Sequence, residues 1–242
     1  MIAKKGRRYL FPSSFRTMDD KLLCEIAACD GADRIALILE KCFSKSIDRS
    51  LLANSCDFPI VEIEEDLYVL EFERAKAFAF EDEKLRPFVI AAVLISAYVD
   101  LDVEGHANLF LPCTDACKDF VSGAVVAKNA GVPFDVFVGA YDSATKINGV
   151  NVIDVEQTAV HELIRDFSDF DDYVFDPISA LAAGAFACVE DEVEGTPSII
   201  ASVESPMNFA KEVLSALGVR AKDEEQAREK LETLFAVEPL EE

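Results

Sequence analysis

Residues 108–138 read NLFLPCTDACKDFVSGAVVAKNAGVPFDVFV, and this stretch decides the fold. Leu109-Phe110-Leu111 is a short apolar run of strand type. Asp115 to Asn129 then has helical spacing, with Phe120, Gly123, Ala124 and Ala127 on one face. Gly131 and Pro133 close it, and Phe134 to Val138 returns to a strand pattern. The unit repeats downstream. Ser198 to Val203 reads as a strand, and Ser205-Pro206 supplies a capping serine followed by proline at the first helical position. Ala210, Val213, Leu214 and Leu217 give the next helix its apolar stripe, and Gly218 ends it. Strands alternating with helices predict an α/β fold, a mainly parallel sheet flanked by helices.

Upstream the pattern differs. Ile60, Val61 and Ile63 form one strand and Leu67 to Phe72 another, with Glu64-Glu65-Asp66 turning between them as a hairpin. A buried helix follows from Glu83 to about Val99. Before the hairpin, Thr17-Met18-Asp19-Asp20 has the form of a capping box, and Leu22, Leu23 and Ile26 continue that helix. A second helix is expected over Asp33 to Phe43, and Ser46 or Asp48 is positioned to cap a third. Helix is again expected from about Asp223. The 242 residues are read as one domain, with a helical part over 15–56, an α/β core over 57–220 and a C-terminal helix over 223–236.

Composition excludes several classes of partner. Twenty-three basic residues stand against 46 acidic ones, a net charge of −23. A field of that sign repels nucleic acid and anionic membrane, and the basic cluster Lys4, Lys5, Arg7 and Arg8 is read as a solvated terminus. The longest apolar run, Phe88 to Val99, falls short of the roughly 20 residues that span a bilayer. No signal peptide is recognised at the start. Seven cysteines in apolar surroundings point to free thiols and a cytoplasmic location.

Candidate chemistry is sparse. Thr114, Asp115 and Lys118 stand at a helix N-terminus, where backbone N–H groups can hold an anion. Equally, Thr114 or Asp115 simply caps the helix and Lys118 is solvated. Cys113 and Cys117 have a zinc-compatible spacing without two further ligands, so no metal is expected. His161-Glu162 reads as a surface pair. The chain contains no Walker loop, dinucleotide fingerprint or nucleophile elbow.

Four stretches, taken in order, resemble the threonine synthase family of fold type II pyridoxal-phosphate enzymes. Leu67-Tyr68-Val69-Leu70-Glu71 with Phe78-Ala79-Phe80-Glu81-Asp82 is similar to that family's strand and Leu-Ala-Phe-Lys-Asp motif. Thr114 to Gly123, continuing through Ala127 to Pro133, resembles its Thr-Gly-Asn-Phe-Gly-Asp phosphate loop and the helix behind it. Phe175-Asp176-Pro177 with Ser179-Ala180 resembles an Asp-Pro-His-Thr-Ala segment, and Ser202 to Phe209 a Ser-Thr-Ala-Ser-Pro-Tyr-Lys-Phe stretch.

The resemblance implies the large domain of a tryptophan synthase β-like fold with the mobile small lobe deleted, in a chain spanning about half of such an enzyme. It also implies that the chemistry is lost. Glu81 occupies the position of the Schiff-base lysine, and a carboxylate cannot form an imine. Asp115, Ala116 and Lys118 replace the phosphate loop's glycines and asparagine, and Val203 stands where a threonine would face the pyridine nitrogen. No cofactor and no catalytic residue are therefore expected. The leading expectation is a pseudoenzyme that binds a protein partner or self-associates, since loss of the lobe would expose apolar surface. An alternative is a binder of a small anionic metabolite through Thr114, Lys118, Asp119 and Ser202. A further alternative is a residual enzyme, lyase-like or other, with Glu81 as a general base.

Overall fold

The computed structural model describes residues 18–48, 52, 58–72, 83–102, 105–141 and 146–235. Helices α1 (Asp20–Ala27) and α2 (Gly31–Phe43) come first. Asp19 caps α1, its carboxylate accepting from the Leu22 amide at 2.8 Å. Thr17, the first residue of the expected capping box, lies outside the described residues. Ser44 ends α2 in a left-handed conformation, φ 51°, and its amide donates to the Glu40 carbonyl. The third helix expected near Ser46 and Asp48 falls largely outside the described residues.

Strands β1 (Ile60–Glu64) and β2 (Leu67–Glu71) form the expected antiparallel hairpin, with Val61 opposite Val69. Asp66 takes φ 61° in its turn. Helix α3 (Arg86–Asp100) begins three residues after the predicted Glu83, with Pro87 in its first turn, where a missing N–H costs nothing. Strand β3 (Ala107–Pro112) is buried along its whole length. Helix α4 (Lys118–Asn129) starts later than the predicted Asp115, because Thr114 to Cys117 makes a separate turn in which the Cys117 amide bonds the Thr114 carbonyl. Strand β4 (Phe134–Ala140) follows as predicted.

Strand β5 (Asn151–Asp154) and helices α5 (Val160–Phe170), α6 (Ala180–Ala187) and α7 (Glu190–Val193) fill the interval before β6 (Ser198–Ser202). Ser205 accepts from the Met207 amide at 3.2 Å, as a capping serine should. What it caps is a 3-10 turn, Pro206–Phe209, which leads into the short helix α8 (Ala210–Ala216). Helix α9 (Glu224–Phe235) is the last described element.

The strands order β1-β2-β6-β3-β4-β5, and every pairing except β1 with β2 is parallel. Both faces are covered, as a parallel sheet requires. Residues of α1 to α4 pack on one face with Leu109, Leu111, Ile199 and Ala201. Residues of α5, α6, α8 and α9 pack on the other with Val69, Phe110 and Ile200. Two glycines let the layers approach closely. A Cβ on Gly123 would stand 2.5 Å from Ile90, and one on Gly139 would stand 1.8 Å from the Leu181 carbonyl oxygen.

The connections set the place of a site. Strands β2 and β3 run on into α3 and α4 on one face, whereas β6, between them, runs on to α8 on the other. The crevice beyond their carboxyl ends is where open α/β sheets bind ligands.

Candidate functional site at the carboxyl ends of the central strands

The turn after β3 is tied down at both ends. The Cys113 amide donates to the Gly139 carbonyl at 2.8 Å, and the Thr114 hydroxyl donates to Cys117 Sγ at 3.2 Å. Cys117 is 2% exposed. Burial, more than any other cause, pushes its thiol up to about 11. The Thr114 hydroxyl pulls it back, and the carboxylates of Asp176 and Glu204 raise it further. The N-terminus of α4 therefore meets a buried neutral thiol in a field set by two acids. Lys118 is exposed in the first helical turn, and Asp119 is half-buried, pairing with Arg86 Nη1 at 3.0 Å.

A second polar group sits on the opposite face of the sheet. Strand alternation puts Ser202 on the side of Ile200, away from the helix that carries Lys118. Ser202 pairs in register with Glu71, which accepts from the Tyr173 hydroxyl at 3.1 Å. In the turn before α6, Asp176 is fully buried. Its Oδ1 accepts from the amides of Ile178 and Ser179 at 2.8 and 3.1 Å, while Oδ2 is buried without a hydrogen-bond partner among the described residues. Burial first, and Glu204 last, raise its carboxyl to about 6 against the pull of the Ser179 and Ile178 bonds.

Of the four candidate ligand residues, the fold brings Thr114, Lys118 and Asp119 to one helix end and Ser202 to the last position of the neighbouring strand, β6. Glu81 lies outside the described residues, as does all of Phe78 to Asp82. Asp176 and Ser179 had no signal of their own beyond the Asp-Pro-x-Ser order, a turn-and-cap pattern preceding an apolar run.

The fold is similar to that of threonine synthase. The solved Escherichia coli enzyme superposes with a TM-score of 0.65 at 12% identity, covering 90% of this chain and 87% of that one. The pyridoxal-phosphate-bound threonine synthase of Brucella melitensis gives 0.66 at 10% identity, covering 88% and 86%. No family model matches the chain, and no curated protein does. At such identities the likeness is one of fold, and it bears out the mainly parallel sheet flanked by helices. The shares covered lend no support to the expectation that this chain spans half of such an enzyme.

Other sequence candidates stay apart. Among the described residues no group of three or more His, Cys, Asp or Glu is arranged to hold a metal ion. His161 faces Glu212 at 3.8 Å on α8, with both side chains about half exposed. No described helix is long and apolar enough to cross a membrane.

Proposed function

We propose that this threonine synthase-like chain does not run pyridoxal-phosphate chemistry and acts by binding, to a protein partner or to a second copy of itself. The observation that carries the reading is Cys117, a buried thiol at the helix end that matches the family's phosphate loop, its pKa raised by burial and further by the charges of Asp176 and Glu204. A phosphate placed there would enter the field of those two carboxylates, with Asp115 and Asp119 close by in sequence. Of the nearby cations, Arg86 pairs with Asp119. This donor set does not fit the cofactor's phosphate. Glu81, at the position matched to the Schiff-base lysine, argues in the same direction from the sequence. Phe170, 82% exposed at the end of α5, is an apolar residue for a partner to cover.

The test mixes purified protein with pyridoxal phosphate, follows absorbance for an internal aldimine, reduces with borohydride and locates the label by mass spectrometry. No aldimine and scattered lysine labelling are the expected results. A stoichiometric label on one lysine, such as Lys76, Lys84 or Lys118, would overturn the reading. Sedimentation and capture from lysate test the binding role, and a monodisperse monomer that captures nothing would count against it.

Lys118 supports a second reading. It is exposed in the first turn of α4 and makes no ion pair among the described residues, so with Thr114 it offers a site for a small anion. Inorganic phosphate or phosphoserine should then raise the melting temperature, and Lys118→Ala should remove the effect.

A further inference from the structure

A cavity of about 200 Å³ lies between the start of α2, the end of α3 and the hairpin. Phe58, Leu70 and Val93 give it an apolar floor, and Arg34, Asp30 and Asp100 form its polar end. Arg34 is the unusual member. Its side chain is only 8% exposed, although it carries a permanent charge. Nε donates to the Cys29 carbonyl at 2.6 Å, and Nη1 donates to the Ser96 hydroxyl at 3.2 Å and to Asp100. Among the described residues Nη2 makes no hydrogen bond, and it is ion-paired with Asp30 at 3.6 Å. A buried guanidinium with unused donors calls for a planar acceptor, and a carboxylate is the group that fits its fork.

A plain anion is poorly matched, because the two aspartates outnumber the single arginine. A zwitterion answers both needs, its carboxylate on Nη2 and its ammonium toward Asp30 and Asp100. Size sets the remainder. A dry cavity of about 150 Å³ accepts benzene, so this one has room for a branched aliphatic or small aromatic side chain plus a head group. We propose that the cavity bounded by Arg34, Asp30 and the Phe58–Leu70–Val93 floor binds a free α-amino acid with an apolar side chain. Such an occupant would bridge α2, α3 and the hairpin, three elements that nothing covalent holds at fixed spacing.

Three probes test this by calorimetry and thermal melting: L-leucine, 4-methylpentanoate, which lacks the ammonium, and 3-methylbutylamine, which lacks the carboxylate. Leucine should bind one to one and raise the melting temperature, and each truncated probe should bind at least about tenfold more weakly. Asp30→Asn should weaken leucine several-fold relative to the parent, each variant compared with its own unliganded melting temperature. Ala97→Leu, which fills the cavity, should abolish binding. The proposal is overturned if leucine gives no heat and no shift at about 10 mM. It is equally overturned if 4-methylpentanoate matches leucine, if Asp30→Asn binds as the parent does, or if a folded Ala97→Leu still binds.

Discussion

The amide of Val203, one residue beyond the end of β6, donates to the Ser179 hydroxyl across 2.8 Å, both groups being buried. That bond ties the central strand to the turn that opens α6. Ser179→Ala leaves a buried N–H unsatisfied at the head of the sheet. Such groups cost about 1–3 kcal/mol, so the urea midpoint should fall by a corresponding amount with the slope unchanged. A midpoint equal to the parent's would mean that water or a relaxed backbone replaces the hydroxyl.

Asp176, three residues before Ser179, supplies a pH dependence with a definite sign. Its folded pKa is raised from the ordinary aspartate range to about 6, chiefly by burial. A carboxyl raised in the fold contributes stability that is present at low pH and is lost as pH rises through the folded value. Asp176→Asn keeps an oxygen for the Ile178 and Ser179 amides and removes the titration. The variant should gain on the parent between about pH 4 and pH 7, by up to about 3 kcal/mol, and hold that gain above. Denaturation curves across this range decide it, and a parallel pair of pH profiles would sink the assignment.

Close packing at Gly139 is expected to be unforgiving. An added Cβ would lie 1.8 Å from the Leu181 carbonyl oxygen, a backbone atom of α6, so the helix must lift from β4. Gly139→Ala should exceed the roughly 1–3 kcal/mol usual for overpacking and yield little folded protein. Gly184 is the control. Its added Cβ would meet the side-chain ends of Leu163 and Val155 at 2.8 Å, which can turn aside, and alanine gains about 1 kcal/mol in a helix. Equal denaturation midpoints for the two variants would contradict this ranking.

The elements that carry the sheet were legible from residue order. Ile60-Val61-Glu62-Ile63 against Leu67–Phe72 marked the hairpin, and 109–111, 134–138 and 198–203 marked three of the parallel strands, because buried strands are apolar runs between turn residues. Strand β5 was not legible. It is four residues long, with Asn151 and Asp154 exposed at its ends, and it leaves no periodic trace. Helix α6 was hidden for the opposite reason. Leu181-Ala182-Ala183-Gly184-Ala185-Phe186 is buried on every side, so no polar face sets a period. At the candidate site, Thr114, Lys118 and Asp119 were found where the helix begins, but side-chain capping rules could not show that Cys117 would be drawn inward and α4 started late. Where Ser202 stands relative to them was not legible, because neighbouring strands 90 residues apart are brought into register only in the assembled sheet. Asp176 passed unweighted because its lone oxygen is a property of the packing around it.

A second acid joins the two sides of the fold at the hairpin. Asp171, just past α5, is hydrogen-bonded to Glu64 at the end of β1, and Glu190 and Asp172 stand nearby. Burial first, then the Glu64 bond and the charges of Glu64, Glu190 and Asp172, raise its carboxyl to about 6. Glu64→Gln removes the charge and puts a donor beside Asp171, so the carboxyl should titrate closer to the ordinary aspartate range. Carbon-13 NMR of the side-chain carboxyl groups follows this directly. Because the raised pKa favours the fold at low pH, the parent should also lose stability as pH rises through about 6, and the variant should lose less. An unchanged Asp171 midpoint in Glu64→Gln would leave burial alone as the cause and remove the link between β1 and α5.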